Sequence, residues 1–354
     1  MTEVETGNKS ALLKIRDTDH SKYLLTIFGL TAMLLIVVSA SLTLGRYNMS
    51  VIDAVKIILS SFIPIQVTWD RTMEAVIFQL RFPRIIAASL VGSALALSGA
   101  SYQSMFKNPM VSPDILGVSS GAALGASLAI FWGMGQSIIQ LWAFAGGIVA
   151  VSLTAMVPKI MKSNSTIVLV LAGIIVGGLM SSLIGILRYF ADPNTALAEM
   201  IYWSMGSFAG IKITNLYSLA PGIIVCIVVL LLIRYRLNVM SLGENEAKSL
   251  GLNIKQTRGV IVICSTLLTA SSVCMAGTIG WVGLVIPHLG RMLVGPDNRR
   301  MLPAALVMGA AFMVIIDTIA RTLTTAELPI SIITGIIGAP FYIYLLFKQR
   351  KHIQ

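Results

Sequence analysis

Acidic residues are scarce in this chain: 15 Asp and Glu stand against 26 Lys and Arg, and charged types make up only 12% of its 354 residues. An ordinary soluble domain carries about 25%. Cysteine is nearly missing as well. Cys226, Cys264 and Cys274 fall inside apolar runs without C-x-x-C spacing, so they read as small buried hydrophobes and a redox or metal role is disfavoured. His288 has no metal-ligand spacing around it and reads as a helix-packing histidine. There is no G-x-x-x-x-G-K-[ST] phosphate loop, H-E-x-x-H helix, nucleophile elbow or hydrolytic carboxylate pair. The chain is therefore not expected to be an enzyme or to bind a metal or cofactor, and any energy drawn from a nucleotide belongs to another chain. Asp317 is the only acidic residue well inside an apolar run, which disfavours a proton relay.

What fills the chain is apolar. Hydrophobic residues make up 56% and the mean hydropathy is +0.85, the signature of an all-α polytopic membrane protein. A spanning helix takes about 20 mostly apolar residues, and ten fit, at 23–44, 84–106, 115–134, 138–158, 165–187, 215–233, 257–276, 278–294, 302–320 and 330–347. Residues 1–22 are a polar N-terminal tail expected to be poorly ordered, and 23–354 one transmembrane domain. Lys14, Arg16 and Lys22 precede the first span as in a signal peptide, but its apolar run exceeds the usual 7 to about 15 residues, so it reads as an uncleaved span.

Lys and Arg collect in cytoplasmic loops. With the N-terminus inside, ten spans put 18 of the 26 basic residues in the cytoplasm, the others being Arg46, Lys56, Arg71, Arg81, Arg84, Arg188, Lys212 and Arg321. Both termini are then cytoplasmic, in a cytoplasmic membrane. The net charge of +11 becomes a topology signal, with no nucleic-acid partner implied.

One long polar interruption, Arg234 to Arg258, falls on the cytoplasmic side. Ser241 and Glu244 have capping-box spacing, and Gly251 stands where a left-handed cap is wanted, so a short helix is expected over Leu242–Leu250. Leu242, Gly243, Ala247 and Leu250 would give it a small apolar surface. It is too short to be stable alone, and the residues fit both a solvated connector and a docking element.

On the other side, Val51, Val55, Ile58, Leu59 and Phe62 fit a helix lying on the membrane. Arg81 and Arg84 follow at the mouth of the second span, with Pro83 suited to an early helical turn. Two readings fit them: interfacial snorkelling, or docking of an acidic external partner. Asp317 and Arg321 share a helix face and could pair, with structural pairing and partner docking both open. Gly92, Ser93, Ala96 and Gly99 in the second span, and Gly117, Ser120, Gly121 and Gly125 in the third, allow close helix approach. Gly173, Gly177 and Ser181, four apart in the fifth, form a stripe that either meets another helix or lines a path.

Six segments in order, LRFPR, SGASYQSMFKNPMVSPDILGVSSGA, WSMGSF, SLGENEAKSLGL, GTIGWVGLVIPHLGRMLVGPDNRR and DTIARTLTTAELPISIITGIIGAPF, cover about Arg81 to Lys348. Together they resemble the FecCD-type permease subunit of type II ABC importers, which take up iron-siderophore complexes, haem and cobalamin. The resemblance implies a second permease subunit, identical or paralogous, ABC ATPase subunits that use ATP and magnesium, and an external substrate-binding protein. It implies that Ser241, Leu242, Gly243, Glu244, Ala247, Leu250 and Gly251 couple to the ATPase. Arg81, Arg84 and Arg321 would receive glutamates of the binding protein, and Gly173, Gly177 and Ser181 would line the translocation path. The expected cargo is an iron-siderophore complex, moved by alternating access. The alternatives are haem, cobalamin or molybdate on the same machinery, and an ATP-independent carrier.

Overall fold

The computed structural model describes residues 2–45, 47, 49–61, 63–163 and 165–350, with the backbone alone for 2–20, 244, 345, 346 and 348–350. Every regular element among them is helical. In chain order these are α1 (Thr2–Thr43), α2 (Val51–Ser60), α3 (Arg71–Ala75), a π-helical turn (Val76–Arg81), α4 (Phe82–Phe106), a 3-10 turn (Pro113–Leu116), α5 (Val118–Phe131), α6 (Gln136–Ile160) and α7 (Thr166–Phe190). There follow α8 (Ala196–Met205), α9 (Ile213–Leu232), α10 (Arg234–Leu242), α11 (Glu244–Ser249), α12 (Ile254–Ala276), α13 (Val282–Val294), α14 (Asn298–Thr322) and α15 (Ile330–Arg350).

Each of the ten expected spans finds a helix. Seven are long and apolar enough to cross a membrane, while Val118–Phe131, Val282–Val294 and Ile330–Tyr344 are shorter apolar helices. The third span is shortened because its first residues form the Pro113–Leu116 turn, closed by Gly117 at φ 79°. The expected tail is not separate in backbone, since α1 begins at Thr2. Ser50 caps α2 by accepting the Asp53 amide at 3.0 Å, and α2 buries Ala54 and Ile57 while Val51, Val55 and Leu59 stay exposed. Phe62, expected on the same face, lies outside the described residues.

The helix α4 is the axis of the domain, buried along almost its whole length. Its small residues make that possible. A Cβ on Gly92 would overlap the Gly309 carbonyl of α14, and one on Gly99 the Gly283 carbonyl of α13. Hydroxyls add hydrogen bonds at these close crossings: Ser93 Oγ donates to Leu306 O at 3.0 Å and Ser98 Oγ to Ser265 O at 3.1 Å. In lipid, where tails are as apolar as leucine, backbone proximity and such bonds replace the hydrophobic drive between helices. The same device joins α5 to α6, where Gly121 meets Gly146 and Gly125 meets the Trp142 carbonyl. Around this centre, α1, α7 and α9 turn leucines and isoleucines outward, among them Leu25, Ile36, Ile174, Ile175 and Leu232. All three cysteines are buried, as expected of small hydrophobes.

Candidate functional site

The N-terminal end of α4 is built by an irregularity that spacing alone did not reveal. From Arg71 the chain is helical without a break into α4, and the turn Val76–Arg81 widens so that the Phe82 amide reaches Ile77 O. Pro83 has no amide to offer Gln79, and its ring crowds that carbonyl; a widened turn relieves the conflict. Arg81 and Arg84 follow directly, and both point inward, 5% and 9% exposed.

Their guanidinium groups are occupied by this chain. Arg81 donates to Leu42 O, to Thr43 O at 3.1 Å and to Tyr47 O at 2.6 Å, holding the end of α1. Arg84 Nε donates to Asp317 Oδ1 at 2.7 Å, while Nη1 and Nη2 reach the two Glu327 oxygens at 2.8 Å each. Arg321 donates to Ser41 O, to Ser41 Oγ at 2.9 Å and to Leu44 O at 2.8 Å, and its Nε lies 3.9 Å from Asp317 Oδ2. Structural pairing, one of the two readings open for Asp317 and Arg321, is present, and Arg81 and Arg84 are buried in place of reaching out to an interface. With Arg321 they are the cations of a buried network with two carboxylates, net charge +1, that ties α1, α4, α14 and the turn after α14 together. Of the two carboxylates Glu327 is the more accessible, its side chain 29% exposed against none for Asp317.

At the opposite end, the short helix expected over Leu242–Leu250 is present as α11, Glu244–Ser249, with α10 directly before it and α12 beginning at Ile254. Ser241 is the penultimate residue of α10, its hydroxyl donating to Asn238 O at 2.7 Å, so it does not stand at the N-cap position expected of it, and the Glu244 side chain lies outside the described residues. The break falls at Gly243, at φ 153° and ψ 160°, a conformation essentially confined to glycine. The expected cap at Gly251 is present: its φ is 77°, its amide reaches Lys248 O at 2.9 Å, and the Leu252 amide reaches Ala247 O at 3.0 Å. The expected apolar face divides in two. Ala247 and Gly243 are buried, lining with Met105, Phe106, Thr166 and Ile254 a cavity of about 190 Å³, whereas Leu242 and Leu250 are 61% and 65% exposed. Asp297 fixes α10 from the side, accepting from Asn238 Nδ2 at 2.5 Å.

Gly173 and Gly177 do not form an open wall. Gly173 sits under the Ile115 carbonyl and Gly177 beside Gly117 and Ser120, so both glycines seat the turn before α5. Ser181 is exposed, on a face that also carries Gly178, Ser182 and Gly185, with open space over the two glycines.

Two motifs far apart in sequence meet. Thr278 Oγ1 donates to Ser204 O, the Ser207 amide to Ala276 O at 2.9 Å, and Ser331 Oγ lies 2.6 Å from Met205 O. Gly206 and Gly277, at φ 76° and 71°, let the WSMGSF and GTIGW segments touch. Gly117 to Gly121 do spell the G-x-S-x-G letters of a nucleophile elbow, but Ser119 lies in the first turn of α5 with its hydroxyl donating to Asp114, and no strand precedes it.

The model of the FecCD transport family matches residues 33–348. The chain belongs to that family. Among curated relatives of this FecCD member, the molybdate import system permease MolB of Haemophilus influenzae is 39% identical over 92% of this chain and 96% of its own. The vitamin B12 permease BtuC of Salmonella typhi is 38% identical over 78% and 85%, and the hemin permease HmuU of Yersinia pestis 36% over 77% and 83%. A solved inward-facing ABC transporter, described as a putative metal-chelate type, superposes with a TM-score of 0.81 at 39% identity, over 91% of this chain and 98% of that one. The protein is a multi-pass ABC importer permease.

Proposed function

We propose that the chain carries a metal chelate of the iron-siderophore type through a cytoplasmic membrane, as one of two permease subunits driven by ABC ATPases and fed by an external binding protein. The observation that carries this reading is the placement of two unlike ends on one rigid helix. Arg84, in the ion network, and Phe106, beside the α10–α11 break, are the first and last turns of α4, about 33 Å apart at 1.5 Å per residue. The end with α10 and α11 is assigned to the cytoplasm and the ATPase, since the basic loops cluster there. Leu242 and Leu250 are the exposed apolar contacts of that surface, and Gly243 is its joint. The network end is assigned to the binding protein, whose carboxylates would compete with Glu327 for Arg84. The exposed Gly178, Ser181, Ser182 and Gly185 face of α7 is offered to the path between two copies. The match over almost the full length of a transporter described as a putative metal-chelate type supports the cargo.

A second reading, molybdate or a similar oxyanion, is favoured by the match to MolB over 96% of that permease. Uptake into proteoliposomes holding the permease, its ATPase and its binding protein separates the two. ATP-dependent entry of labelled ferric siderophore is the expected result, ATP-dependent entry of labelled molybdate in its place selects the second reading, and entry that ignores ATP rejects both.

A further inference from the structure

Three cysteines are few for 354 residues, and two of them meet. Cys226 lies in α9 and Cys264 in α12, 38 positions later, and their thiols face each other within hydrogen-bond reach. Both are buried, 4% and 7% exposed, in the apolar cluster to which α4, α9 and α12 contribute. Sequence spacing gives no sign of the pair, because the packing of two helices brings it together. The chain between those helices holds α10 and α11. Along the helix axes the thiol pair lies about 9 Å from the end of α9 at Leu232 and about 15 Å from the start of α12 at Ile254. A bond at this point closes the neck of the hairpin that carries the α10–α11 surface. Cys274 is placed apart, ten positions and about 15 Å further along α12, and its thiol donates to Gln140 O at 3.0 Å.

We propose that Cys226 and Cys264 are a modification site, oxidised by a lipid-soluble quinone to a disulfide that fixes α9 to α12 and slows coupling through α10 and α11. In this step two S–H bonds break and one S–S bond forms, and the two electrons and two protons pass to the quinone, which becomes a hydroquinone. Location selects the oxidant. Both thiols lie within helices long and apolar enough to span the membrane, where charged reagents such as glutathione are excluded and quinones dissolve. Location also selects the product. A monovalent soft metal ion between two thiolates would leave a net negative charge in this apolar setting, which is costly when unpaired, whereas the disulfide is neutral. The modification rests only on the thiol pair, and its effect on coupling rests on the function proposed above.

Duroquinone is the probe, because its four ring methyl groups block addition of a thiol to the ring. The full-length protein in liposomes is incubated with it, denatured and alkylated with N-ethylmaleimide. Mass spectrometry is expected to find all three cysteines alkylated before oxidation and Cys274 alone afterwards, beside a cross-linked peptide pair that holds Cys226 and Cys264. Dithiothreitol should restore the first pattern. Cys226→Ala and Cys264→Ala should each be alkylated at both remaining cysteines with or without quinone, while Cys274→Ala should lose all alkylation on oxidation. This measurement needs neither ATPase nor cargo, so it reads out whether or not the transport reading holds. In proteoliposomes that also contain the ATPase and the binding protein, cargo moved per ATP should fall severalfold on oxidation, recover with dithiothreitol and stay unchanged in Cys226→Ala. Full alkylation after quinone treatment, or a disulfide that joins two copies of the chain in place of Cys226 and Cys264, overturns the modification site. A complete Cys226–Cys264 bond beside an unchanged transport ratio overturns its effect on coupling.

Discussion

Arg84 Nε donates to both carboxylate oxygens of Asp317, at 2.7 and 3.0 Å, and so ties α4 to α14 across 233 residues of sequence. The Asp317 side chain is fully buried. A carboxylate there has no water to fall back on, and its charge is acceptable only because a guanidinium with fitting geometry faces it. The pair is also the point to which the more accessible contacts are attached, Glu327 on one side and Arg321 on the other.

Removing one member should therefore cost more than the pair contributes. Asp317→Asn leaves Arg84 with Glu327 as its remaining carboxylate and a neutral amide at Nε, and a loss of roughly 1.5–3 kcal/mol is expected, the usual range for a hydrogen bond to a charged group. Replacing both, with Arg84→Met and Asp317→Leu, should recover most of that loss. Denaturation midpoints in detergent check the pair of results; a double variant as unstable as the single one would mean that packing around the pair matters more than its charge.

Glycines of this chain divide into those that hold helices together and those that do not. Gly99→Val places a side chain against the Gly283 carbonyl, where the obstacle is backbone and cannot turn aside. Overpacking costs about 1–3 kcal/mol when side chains can adjust, and here a larger loss is expected, seen as a reduced folded fraction on size-exclusion chromatography. Gly178→Ala meets open space and should be silent by the same measurement.

The division shows what could be read from sequence. Apolar run lengths located all ten helices because lipid imposes them residue by residue, and small-residue spacing marked the close crossings of α4 and α5. Ser241 and Glu244 misled because capping-box spacing also occurs across a helix break, and nothing in the letters distinguishes Gly243 in an extended glycine-only conformation from a helical glycine. For Arg81, Arg84 and Arg321, charge and position mark three cations that belong to one end of the bundle. Their partners are carbonyls at the end of α1 and carboxylates more than 230 residues away from Arg84, and only the fold brings those together. The widened turn at Val76–Arg81 has one local sign, Pro83, which stands in the first turn of α4 as its residue type suggests and also crowds the turn before it.

The glycine-only joint at Gly243 yields a test of coupling. Gly243→Ala forces a Cβ into a conformation that costs about 1–3 kcal/mol in non-glycine residues, so α10 and α11 should no longer meet at the same angle, while the ion network about 33 Å away stays intact. The expected outcome is normal capture of the binding protein with fewer cargo molecules moved per ATP hydrolysed. Proteoliposome uptake measured beside phosphate release reads that ratio. An unchanged ratio would mean that this joint does not transmit motion.

The arginine network makes an opposite kind of prediction, a gain. Arg84 is shared between Asp317 and Glu327, and Glu327 is the partner that solvent reaches. If a binding protein docks by presenting carboxylates, it must displace Glu327 from Nη1 and Nη2 of Arg84, and the native glutamate weakens docking by competing for those atoms. Glu327→Gln removes the competing charge but keeps the size and the hydrogen-bonding oxygen. Affinity for the binding protein should then rise severalfold at about 0.01 M salt, where charges act over roughly 30 Å, and the gain should shrink near 0.15 M, where that distance is about 8 Å. Surface plasmon resonance on the reconstituted permease at the two salt concentrations measures the difference. Arg84→Met should lower affinity under the same conditions. A Glu327→Gln protein that binds no better at low salt would show that the arginine network only fastens helices and that the docking surface lies elsewhere on the outer face.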